Sequence, residues 1–76
     1  MSDNLESLKT CGKPWAEKRA NAASEIQAQY KSGDLQKDEA LELMGDLINT
    51  DKLNRVADDI QIKAALINAI NIAMML

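Results

Sequence analysis

AALINAINIAMML, residues 64–76, carries thirteen side chains without one charge. At helical spacing from Ile60, one stripe reads Ile60, Ala64, Ile67, Asn71, Met74. A second reads Ile62, Leu66, Ala69, Ile70, Ala73, Leu76, and only Gln61, Asn68 and Asn71 interrupt the two. A helix that is apolar nearly all round is buried nearly all round. A membrane span needs about 20 apolar residues, which this run lacks. Two environments remain: the centre of the chain's own core, or the surface of a second protein. The second is the expectation, with Leu66, Ile67, Ile70, Met74 and Leu76 as the interface. The asparagines on such a seam would fix register and oligomer state.

Upstream, Asn49-Thr50-Asp51 punctuates the chain, and Thr50 or Asp51 can cap a helix running from 51 to 75, with a kink or break left open through Asp58–Gln61, where Ile60 and Ile62 alternate. Leu53, Val56, Ala57 and Ile60 continue its apolar face, with Asp58 and Asp59 opposite as a solvated pair. Before that, Ala40, Leu43, Met44, Leu47 and Ile48 form an amphipathic stripe over 37–48. Lys37, Asp38 and Glu39 open that helix, and Glu39 stands at the capping-box position relative to Gln36. Gly45 sits inside it, either as a tolerated surface glycine or at a close helix crossing.

The first helix of the hairpin should span 14–32. Pro14 suits its first turn, and Gly33 follows the last turn, where a left-handed cap favours glycine. Trp15, Arg19, Ala22, Ala23, Ile26 and Tyr30 share one face. That face is thin, because alanine buries little area. It should therefore fail to cover both sides of the C-terminal helix. Trp15 either anchors this helix or stands as an exposed interface residue, a role in which tryptophan is enriched. Residues 1–13 read as a loosely ordered N-terminal segment, in which Leu5, Leu8 and Cys11 recur every three residues and could form one docked helical turn. The fold class is all-α: a helical hairpin plus an apolar C-terminal third helix, with 14–76 as one domain.

At 76 residues the chain holds one domain, and a core this small gains support from staples. One cysteine excludes an internal disulfide, and the absence of histidine disfavours a zinc site. Association is the staple left. The net charge is −3 and unevenly spread: +1 over residues 1–32 and −4 over 33–76. No Lys/Arg cluster exists, and one Trp, one Tyr and no Phe make no stacking platform. Nucleic acid is therefore disfavoured as a partner. MSDNLESLKTCGK has neither a signal nor a transit pattern, and a lone Cys11 suits a reducing compartment, so cytoplasmic synthesis is expected.

No catalytic constellation is present in the sequence. Histidine is missing for acid–base work, and nothing activates Cys11 as a nucleophile. Three glycines make no Walker or dinucleotide loop. DKLNRVADDIQI, 51–62, fails as a calcium loop because Leu53, Arg55 and Val56 occupy its third, fifth and sixth positions. No enzyme, cofactor, metal or small-molecule substrate is expected. Glu25, Asp38, Glu39, Glu42 and Asp46 read as a solvated face or as a docking face for a basic partner.

The arrangement Tyr30-x-x-Gly33-Asp34-Leu35-x-x-x-Glu39-x-x-x-Leu43-x-x-x-Leu47 resembles helical hairpins in which Gly-(Asp/Glu)-(Ile/Leu) separates two helices. Followed by an Asp-rich turn and an apolar helix, it is similar to small virion- or tail-assembly-associated proteins of tailed bacteriophages. The likeness covers about 45 residues, 26–70. It implies an assembly role and incorporation into a virion, and it brings no catalytic residues. The expectation is thus a non-enzymatic structural protein that associates through its C-terminal helix, with a protein partner or its own copy. The alternative is a small acidic inhibitor docking on a host enzyme or nucleic-acid-binding protein. A third reading, a nucleic-acid regulator using Lys13, Lys18 and Arg19, runs against the net charge.

Overall fold

Five helices form, and no strand occurs among the described residues: α1 (Asp3–Leu8), α2 (Pro14–Ser32), α3 (Lys37–Leu47), α4 (Thr50–Val56) and α5 (Ile60–Ala73). The computed structural model describes residues 3–75, with side chains from Leu5 onward. The all-α class holds. The helix over 14–32 has the expected bounds, and α3 ends one residue before the expected Ile48.

Gly33 ends α2 at φ 90°, a left-handed conformation that glycine adopts without a Cβ penalty. Its N–H donates to the Tyr30 carbonyl and the Asp34 N–H donates to that of Gln29, which satisfies two otherwise orphaned helix-end carbonyls. The chain then turns back, and α3 packs on α2. Glu39 reaches back to accept the Gln36 N–H at 2.9 Å, so the carboxylate half of a capping box forms although Gln36 replaces the usual Ser or Thr. Where a Cβ on Gly45 would stand, no atom lies within 4 Å. Gly45 marks no close crossing.

The expected third helix is two helices. Ala57 is extended at ψ 108°, and Asp59 at φ −138° accepts the Ile62 N–H on Oδ1 at 3.0 Å. Aspartate is a poor helix interior and a good N-cap, and the cap wins here. The break also lets α4 and α5 point their apolar sides independently. Leu53 turns fully inward, while Val56 and Ile60, expected on the same face, are left 44 % and 84 % exposed. Helix α4 is capped by Asn49, whose Oδ1 accepts the Lys52 N–H, rather than by Thr50 or Asp51.

The docked turn that the Leu5–Leu8 spacing allows forms as α1. Leu5 and Leu8 are buried, and α1 packs on both α2 and α5. Three-residue spacing puts the two leucines on one face of a short helix, and α5 supplies the apolar surface that holds them. Gly12 at φ 88° closes the turn into α2. With no side-chain cap from Lys13, Glu17 accepts the Gly12 N–H at 2.9 Å.

The core is a cluster built around alanine. Ala16, Ala20 and Ala23 of α2 are fully buried beside Ala40, Met44, Leu53, Leu66, Ala69 and Ile70. This buried line on α2 runs beside the expected one. Ala16 and Ala20 lie on it, whereas Trp15, Arg19, Ala22 and Tyr30 are only half-buried flanks. The alanine face does cover one side of α5, because small side chains let helix axes approach closely. Helix α1 covers another. Each fully buried Leu, Ile or Met contributes about 1.5–3 kcal/mol.

Candidate functional site

Two places in this fold hold more than generic surface. The first is the outer side of α5. Gln61, Ala64, Ala65, Asn68, Asn71, Ile72 and Met75 are exposed, and they share about a third of the helix circumference. Ile72 is 46 % exposed and Met75 83 %. From Ala64 onward this stripe contains no charged residue.

The expected interface residues divide. Leu66 and Ile70 are fully buried in the chain's own core and cannot meet a partner while the fold is intact. Ile67 and Met74 are half-buried at the edges of the stripe and pack against the core. Leu76 lies outside the described residues. The asparagines expected on a buried seam, Asn68 and Asn71, face outward. Ala65, Ile72 and Met75 were missed as surface residues. A strict 3.6-residue count separates them: Leu66, Ala69, Ile70 and Ala73 share one arc, and 65, 68, 72 and 75 share a neighbouring arc that meets it where Ala65 adjoins Ala69.

The second place is the start of α2. Trp15 is half-buried and bonded within the chain. Its Nε1–H donates to Asp58 Oδ1 at 3.0 Å. Lys13 Nζ lies 3.3 Å from the same oxygen. The indole hydrogen bond, then the lysine, hold the Asp58 carboxyl below its ordinary pKa of 3.8. Asp58 and Asp59 are thus no plain solvated pair: one receives Trp15 and Lys13, the other caps α5. One turn further along α2, Arg19 Nε donates to the Leu47 carbonyl at 3.2 Å, and its Nη1 donates to the Trp15 carbonyl at 3.0 Å.

Elsewhere the surface offers shallow grooves. One of about 240 Å³ between α1 and α5 is lined by Ser7, Leu8, Cys11, Ala65 and Asn68. Cys11 is half-buried there, with its Sγ 4.0 Å from the Lys13 carbonyl. Another of about 310 Å³ between α1 and α2 is rimmed by Glu6, Lys9 and Lys31, of which Glu6 and Lys9 pair at 3.1 Å. Neither brings together a nucleophile and a base. Among the described residues no three His, Cys, Asp or Glu side chains converge as metal ligands. No helix among them is long and apolar enough to cross a membrane. The chain matches no family model, no curated protein and no solved structure.

Proposed function

We infer that the chain is a non-enzymatic assembly module that pairs with a second copy of itself through the outer side of α5, in the setting of a phage particle or tail that the hairpin resemblance implies. The observation that carries this reading is the uncharged stripe Ala64, Ala65, Asn68, Asn71, Ile72, Met75 on the exposed side of the helix. Ala64 and Ala65 are small enough for a close helix crossing. The amides of Asn68 and Asn71 carry both donors and an acceptor, so each can satisfy its own copy across a two-fold axis. A chain of net charge −3 meets least self-repulsion where its surface is neutral. The acidic side chains Asp38, Glu39, Glu42 and Asp46 belong to α3, which packs on α2.

The reading moves the association residues from Leu66 and Ile70 to Ile72, Met75, Ala65 and Asn68. Sedimentation of Ile72→Asp beside Leu43→Asp tests it. Both positions are comparably exposed, at 46 % and 42 %, so both variants should fold. Ile72→Asp should sediment as a monomer and Leu43→Asp as the wild-type oligomer. Equal behaviour of the two would overturn the assignment to α5.

A further inference from the structure

Helix α4 is held differently from the other elements. All six of its residues besides Leu53 are exposed, and Leu53 is its one buried side chain. Its two ends are gripped by neighbouring turns of a single helix. At the end of α3, the Leu47 carbonyl accepts from Arg19 and fixes the near side of the first junction; just after α4, Asp58 accepts from Trp15 and Lys13. Trp15 and Arg19 are four residues apart on α2 and are themselves joined, Nη1 of Arg19 to the carbonyl of Trp15. Both junctions are non-helical: Ile48 and Asn49 on one side, Ala57 to Asp59 on the other. One exposed tie, Lys63 Nζ donating to Asn54 Oδ1, links α4 to α5 directly.

We propose that α4 is a strap: the segment 48–58 opens and recloses as a unit about its two junctions while α1, α2 and α5 stay packed, with the contacts of Trp15 and Lys13 to Asp58 as the clasp that sets how often it opens. The buried apolar contacts of a segment set its opening free energy, and one buried leucine with half-buried Ile48 and Ala57 is few. The junctions are where backbone angles can change without breaking a helix. Opening withdraws Leu53 from the core and uncovers the apolar slot that it fills. The open form therefore presents a surface that the closed form lacks. The contacts to Asp58 are exposed and polar, easily exchanged for water, which makes them a gate rather than a lock.

Native-state amide hydrogen exchange on the full chain tests the strap. The amides of Leu53, Arg55, Val56 and Ala57 should share one opening and exchange at least about tenfold faster than those of Ala20, Ala23 and Ile70. Asp58→Ala should speed the α4 amides by about a further tenfold, the scale of one lost hydrogen bond, and change the α2 amides less than twofold. Trp15→Phe keeps the ring packed and removes the N–H, and it should reproduce the same pattern. The proposal is overturned if α4 and α2 amides share one exchange free energy in the wild type. It is also overturned if Asp58→Ala or Trp15→Phe accelerates every helix alike.

Discussion

The indole Nε1 of Trp15 lies 3.0 Å from Oδ1 of Asp58, 43 residues away in sequence. This contact ties the α4–α5 junction to the first turn of α2, and with Lys13 it lowers the Asp58 pKa. The sign of the pH effect follows. A carboxyl with a folded pKa below its unfolded value stabilises the fold above the unfolded value, near 3.8, and the contribution is lost as pH falls through the folded pKa. Wild type should therefore melt above Asp58→Ala at pH 6, and the gap should close below about pH 3.8. Melting both proteins across pH 2–6 by circular dichroism checks this. A gap that stays constant with pH would contradict it. The single tryptophan gives a second readout, because its emission should respond to the same titration.

Two glycines in neighbouring elements should respond to alanine with opposite signs. Gly45 lies inside α3 with no atom within 4 Å of an added Cβ, so Gly45→Ala should stabilise by about 1 kcal/mol. Gly33 stands at φ 90°, where an L side chain is strained, and Gly33→Ala should destabilise by about 1 kcal/mol. Urea unfolding of the two variants beside wild type reads both.

The core assignment predicts large losses at positions that a loosely ordered N-terminus or an interface seam would tolerate. Leu8→Ala and Leu66→Ala should each lower the unfolding free energy by about 2–5 kcal/mol, since both side chains are buried. Ala20→Leu should cost about 1–3 kcal/mol, because a fully buried alanine at a helix contact leaves no room for an isobutyl group. Near-neutral values in chemical denaturation would contradict the packing.

Local signals were legible in the sequence wherever the chain makes its own decision. Pro14 and Gly33 mark both ends of α2, and Asn49-Thr50-Asp51 marks the start of α4. Less legible was anything decided by three-dimensional competition. Asp59 reads equally well as a solvated helix residue or as a cap, and only the demand that Leu53 and Leu66 both reach the core selects the cap. Leu5 and Leu8 span too short a segment to predict a helix alone; α5 makes that helix worth forming. Most instructive is α2. Its alanine face covers one side of α5, and α1 covers another. The cover from α1 is what the sequence hides, and without it Leu66 and Ile70 read as outward. The stripe that does face outward, at 65, 68, 72 and 75, is a neighbouring arc of the same periodic pattern.

The reading of α5 as an association surface rests most directly on the mass of the wild-type chain in solution. Light scattering on a sizing column, at low and at high salt, should give about twice the 8.4 kDa chain mass in both. Apolar and amide contacts between copies are little screened, whereas docking led by charge weakens steeply with salt. A helical protein that elutes at the mass of one chain at both salts, at concentrations up to hundreds of micromolar, would contradict the account.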